Sequence, residues 1–174
     1  MGAWGALIMS FFGAVFAALT MYWQGHVSGS DLALPFIVFA LIGMVAAYVI
    51  RQPGPGMALP DRVGRVIMWS SIGEGVGLFI ASNVVINLHR LDLRLPAMAL
   101  VVGAHFLPIA HAASFPPFLV LGGALIVSGL AGMVIGGDAG GLLAGSMAAG
   151  ALWLAALLAL RRDWRAKRQA TLIG

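Results

Sequence analysis

The chain has 174 residues, 61% of them hydrophobic and 9% charged, with a mean hydropathy of +0.99. A soluble globular domain carries about 25% charged residues, so that class is excluded and a membrane protein is indicated. A pI near 10.7 brings nucleic acid to mind, but of ten Lys and Arg residues half lie after residue 160, which is a topology signal and not a nucleic-acid site. With no cysteine there are no disulfides, thiolate metal sites or cysteine nucleophiles.

Six apolar runs follow in order, at roughly 3 to 23, 32 to 50, 66 to 88, 93 to 113, 117 to 136 and 139 to 160. Each matches the ~20 residues a helix needs to cross a bilayer. The breaks carry turn chemistry: Gln24-Gly25-His26 with Ser28-Gly29-Ser30, Gln52-Pro53-Gly54-Pro55-Gly56, His89-Arg90-Leu91-Asp92, Ser114-Phe115-Pro116-Pro117 and Gly136-Gly137-Asp138. Such short connections make neighbouring spans antiparallel. The predicted fold is all-α, with six transmembrane helices in one bundle over residues 1–160 and a cytoplasmic basic tail over 161–174.

Six spans put both termini on one side. That side then holds Arg51, Arg62, Arg65, Arg161, Arg162, Arg165, Lys167 and Arg168, against Arg90 and Arg94 on the other. The asymmetry predicts N-in/C-in. Trp4, Tyr22, Trp23 and Trp164 fall near span ends as interfacial anchors. Met1-Gly2-Ala3-Trp4 lacks the positive start of a signal peptide, so span one reads as a retained helix. Ala6 stands where myristoylation needs Ser or Thr. The basic tail suits anionic lipid headgroups.

An internal repeat is the most specific pattern. Asp31-Leu32-Ala33-Leu34-Pro35 opens span two and Asp92-Leu93-Arg94-Leu95-Pro96 opens span four. Upstream, Ile8-Met9-Ser10-Phe11-Phe12-Gly13 answers Ile67-Met68-Trp69-Ser70-Ser71-Ile72-Gly73 with one inserted residue, and Asp138 precedes span six. Three tandem hairpins are expected, each aspartate capping a helix N-terminus. Proline in the first turn of a span costs no helical hydrogen bond.

These hairpins, followed by Pro96-Ala97-Met98-Ala99-Leu100-Val101-Val102-Gly103-Ala104-His105-Phe106-Leu107-Pro108, resemble a group of small multi-span bacterial inner-membrane proteins with a His-Phe-Leu-Pro segment. The resemblance covers mainly residues 64 to 113. It implies a helical bundle in the bacterial inner membrane and carries over no catalytic residue. The architecture is also similar to acid-resistance membrane proteins of the HdeD type.

Glu74 is the sole glutamate and sits inside span three, within Gly73-Glu74-Gly75-Val76-Gly77. An ionised carboxylate there is costly unless it is paired or hydrated. At ~1.5 Å per residue Glu74 lies about 12 Å below the cytoplasmic edge, and counting down span four puts His105 at about the same depth. The two are expected to meet. Similar counting brings Ser10, and less closely Tyr48, toward the same layer, and Ser70 is a further candidate. In hairpin one the matching positions are Ala14 and Met44, so hairpin two has a titratable pair where its repeat is apolar. Two explanations stand: proton or cation handling, with His105 tuning or relaying for Glu74, or interhelical hydrogen bonding worth about 1 kcal/mol.

Other polar or small residues have more ordinary readings. Gly73 and Gly77 form a GxxxG, and Gly129, Gly132 and Gly136 with Gly141 and Gly145 are expected to make spans five and six a tight pair. Pro108 removes the helical donor for the Ala104 carbonyl, so a kink is expected. Asn83 and Asn87 are expected to line an outer vestibule or bond a neighbouring helix, and His111 to lie at the cytoplasmic interface. His26 and His89 belong to outer loops.

No nucleotide loop, EF-hand or HExxH motif occurs, and His105 and His111, about 9 Å apart along one helix, are too distant for ordinary chelation. No cofactor and no enzymatic activity are expected. A proton-linked transporter or channel-like protein is the first functional expectation. The other is a non-transporting subunit, scaffold or assembly partner, as a homo-oligomer or with another membrane protein.

Overall fold

In a bilayer the backbone must satisfy its own hydrogen bonds, and six helices do so here. The computed structural model describes the backbone of residues 2–53 and 60–173, with side chains through residue 170; Met1 and the Gly54-Pro55-Gly56 turn lie outside the described residues. The helices are α1 (Ala3–Trp23), α2 (Leu34–Arg51), α3 (Asp61–Asn87), α4 (Arg94–Ala112), α5 (Pro116–Ile135) and α6 (Gly137–Ile173). All six are long and apolar enough to cross a membrane. No strand occurs among the described residues.

The expected hairpins α1/α2, α3/α4 and α5/α6 all pair, but the most extensive interfaces join α4 to α5 and α1 to α6. The four helices α1, α4, α5 and α6 form a central frame, with Phe16, Leu95, Leu125 and Leu152 fully buried in it. Helix α2 packs mainly on α1, and α3 on α4. Only Val63 and Val85 of α3 are buried.

Small residues set the close approaches, at more interfaces than the single tight pair expected. A Cβ on Gly103 of α4 would stand 2.8 Å from the Gly122 carbonyl oxygen of α5, and one on Gly132 of α5 would stand 2.6 Å from the Gly140 oxygen of α6. Gly129 faces Pro96 and Leu100 of α4, while Gly141 and Gly145 face Gln24 and Thr20 of α1. Gly136 and Gly137, with φ of +65° and +57°, reverse α5 into α6 with a single residue between them.

The repeat is visible in the backbone. Short 3₁₀ turns, Gly29–Ala33 and Leu91–Leu93, precede α2 and α4, and His26 and His89 before them both take a positive φ. The aspartates nevertheless do not cap as expected. The 3₁₀ turn draws Asp31 and Asp92 inside it, so that Ala33 and Leu93, which have no acceptor, occupy the N-cap positions. Asp92 instead takes two hydrogen bonds from Arg90, each 3.0 Å, and a third from the Gly137 backbone N–H at 3.1 Å. It thus ties the second hairpin to the start of α6. The side chains of Asp31 and Asp138 make no hydrogen bond among the described residues.

The basic segment expected as a separate tail continues α6 without a break to Ile173. At 37 residues, α6 is about 55 Å long, well beyond a ~30 Å hydrocarbon core. Its last turns strap the ends of two other helices. Asp163, 5% exposed, accepts the Ala3 backbone N–H at 2.9 Å. Lys167, 6% exposed, donates to the carbonyls of Val49, Ile50 and Gln52 at 2.8, 3.1 and 3.1 Å. These are groups that a helix N-terminus and a helix C-terminus leave without intrahelical partners.

Two outcomes are expected in thermal melts of the detergent-solubilised protein. Lys167→Met strands three carbonyls at the end of α2 and should cost about 2 kcal/mol, whereas the exposed Arg168→Gln should leave the midpoint within error. Among the repeat aspartates, Asp92→Ala should cost about 1 kcal/mol, while Asp31→Ala and Asp138→Ala should cost no more than a few tenths. Equal losses at all three would mean that each acts as a cap.

Candidate functional site

The α3 face that turns inward carries Ile67, Ser71, Glu74, Gly75 and Leu78, spaced at the three- and four-residue steps of one helical stripe. Opposite it, α4 presents Val102, His105, Phe106 and Ile109 on the same kind of stripe. Gly5, Ile8, Met9 and Phe12 of α1 form a third wall, and Leu152 of α6 closes the inner side. Between them lies a cavity of about 400 Å³. It exists because α3 packs on α4 and leaves the gap to α1 unfilled.

Glu74 and His105 meet across the α3/α4 hairpin at the wall of this cavity. His105 Nδ1 lies 3.5 Å from Glu74 Oε2, and the two side chains are 10% and 12% exposed. The approach is within ion-pair reach but too long for a hydrogen bond, so the buried Nδ1 has its hydrogen-bonding capacity unmet. The Phe106 ring meets the His105 ring edge to face at 5.1 Å. A movement of about half an ångström would complete a proton path between imidazole and carboxylate. Among the described residues no third acidic or imidazole side chain joins them in a potential metal cluster.

The other predicted site residues lie elsewhere. Ser10 is fully buried, with its hydroxyl donating to the Leu7 carbonyl at 3.0 Å and its own carbonyl accepting the Trp153 indole N–H at 3.2 Å; it faces α6 and does not line the cavity. Tyr48 is 60% exposed and stands beside Gln52, Trp164 and Lys167 at the basic end of the bundle. Ser70 is half-buried and off the cavity face, whereas its neighbour Ser71 lines it. Ser71 was missed, although the stripe through Ile67, Glu74 and Leu78 selects it over Ser70.

The remaining expectations sort similarly. Asn83 and Asn87 donate to the carbonyls of Phe79 and Asn83 in their own helix, at 2.8 and 2.9 Å, and bond no neighbouring helix. Of the GxxxG pair, Gly77 meets Val101 of α4 while Gly73 faces open space. His111 is exposed near the basic end, and His26 and His89 are exposed in the opposite turns. Pro108 stands inside α4, one turn beyond His105. No protein-family model, curated protein or solved structure matches this chain.

Proposed function

We propose that the protein is a small transporter or channel-like membrane protein in which Glu74 and His105 form a protonatable site. The observation that carries this reading is a titratable pair, midway along the spanning helices, that faces a cavity and is not saturated by hydrogen bonds. A pair serving only as interhelical glue would close its hydrogen bond, since that bond is the source of its stabilisation. Glu74 is the proton or cation acceptor, and His105, at ion-pair distance, stabilises or relays the charge. Ser71 adds a hydroxyl on the same face. No enzymatic step and no cofactor enter this reading.

The orientation that goes with it is N-in/C-in in a bacterial inner membrane, with the end bearing Arg51, Arg62, Arg65 and the last turns of α6 toward the cytoplasm. A second reading, a non-transporting subunit or assembly partner, draws on the uncovered face of α3, where Trp69 is 66% and Phe79 71% exposed. A partner docking laterally in the bilayer would cover that face.

Proton flux into proteoliposomes, followed with an internal pH-sensitive dye under an imposed gradient, decides between them. The intact protein should conduct, and Glu74→Gln and His105→Ala should each lower the flux about tenfold or more. Gly75→Leu, placed where nothing lies within 4 Å, should fill the cavity and block flux with the melting temperature unchanged. Absence of flux in the intact protein, or full flux in Glu74→Gln, overturns the transport reading. A partner retained in fixed ratio, together with a lower melting temperature for Glu74→Gln, would establish the second.

A further inference from the structure

A second concave feature lies at the basic end, outside the Glu74–His105 cavity and independent of its function. On one face of α6, Arg161, Arg162 and Arg165 border a hollow of about 500 Å³ whose apolar side is Phe115, Pro117 and Leu158. Arg162 lies over the Phe115 ring, with Cζ 4.3 Å from its centroid. The stacking holds one guanidinium in place while leaving its edge donors available. Helix α5 begins here without a side-chain cap, so the positive end of its dipole faces the same space. The lone carboxylate on this stretch of α6, Asp163, points to the other side of the helix, bound to the Ala3 N–H. Among the described residues no carboxylate lines the hollow beside the three guanidiniums.

A smaller apolar groove of about 110 Å³ adjoins it between α5 and α6. It shares Phe115, Pro117 and Leu158 with the cationic hollow and continues toward the middle of the bundle along Leu121, Ala124 and Leu154. The two parts have the chemistry of one amphiphile: a phosphate held by arginines, which match its oxygens two at a time, and a hydrocarbon chain laid against alanine and leucine. A soluble phosphate compound would leave the groove unused. A zwitterionic lipid would bring its own cation to the arginines.

We infer that the cleft at the basic end of α5 and α6 is a binding site for an anionic phospholipid, with its headgroup phosphate on Arg161, Arg162 and Arg165 and one acyl chain in the adjoining groove. The lipid would be held at a defined place and not spread over the basic surface as a whole.

Native mass spectrometry of the full chain, released from micelles containing phosphatidylglycerol and phosphatidylcholine of equal acyl length, tests this. Phosphatidylglycerol should be retained preferentially. The double variant Arg162→Gln/Arg165→Gln should lower that retention about tenfold, while Arg62→Gln/Arg65→Gln, which removes the same charge from the same end of the bundle, should leave it within twofold of the intact protein. Leu158→Trp, which fills the groove and keeps every arginine, should also weaken retention. Equal loss from both arginine pairs would mean diffuse surface attraction and overturn the site. So would retention unaffected by Leu158→Trp, or displacement of the lipid by millimolar inorganic phosphate, either of which would leave only an anion site. Melting temperatures report the folding of each variant, and equal retention of the two lipids by the unmodified protein overturns the inference without any variant.

Discussion

The close approach of α4 to α5, with Gly103 and Gly122 meeting backbone to backbone, is the contact on which the remaining arrangement depends. In lipid there is little hydrophobic gain from bringing two helices together, so association rests on packing density and small residues supply it. The same device recurs where Gly132 meets Gly140 and where Gly145 meets Thr20, so that α4, α5, α6 and α1 become a continuous frame. Helix α3 has no equivalent surface. It meets α4 through Gly77 and leaves Gly73 and Gly75 facing open space. The cavity at Glu74 and His105 is therefore a consequence of how the frame closes without α3.

The ends of the frame are fixed by a different interaction. Each helix terminus exposes backbone groups with no intrahelical partner, and here side chains from other helices meet them. Lys167 holds three carbonyls at the end of α2, Asp163 holds the Ala3 N–H at the start of α1, and Asp92 holds the Gly137 N–H. Two of these three come from the last turns of α6. A charged segment that hydropathy assigns to water is thereby part of the folded unit, and its remaining exposed face is left to the arginines beside Phe115.

The six spans were legible in the sequence because apolar length is a one-dimensional quantity, and so was the meeting of Glu74 with His105, because depth along antiparallel helices follows from a constant rise per residue. Angular position was not. Ser10 has the expected depth but lies on the wrong side of α1, and Ser70 is one residue away from the stripe that Ser71 occupies. Capping by Asp31 and Asp92 was not legible because each aspartate lies within a 3₁₀ turn that precedes the α-helix, and proline at the helix start gives no hint of that turn. Depth counting also has no term for a helix that outlasts the bilayer, which is why α6 was cut at residue 160.

The two related hairpins differ at the titratable pair in a way that bears on its proposed role. Ala14, the counterpart of Glu74, is fully buried, and Met44, the counterpart of His105, is 62% exposed. Hairpin one has spent the Glu74 face of its first helix on the frame, where α1 packs on α6. Hairpin two keeps that face free, toward the cavity. Glu74 and His105 stand in the α3/α4 contact, and α3 is the helix with the smallest buried share among the six spans. A carboxyl and an imidazole in the membrane interior carry a cost wherever they stand, and here no closed hydrogen bond between them offsets it. Placed at a cavity and short of a closed hydrogen bond, the pair is arranged as the proposed proton exchange requires.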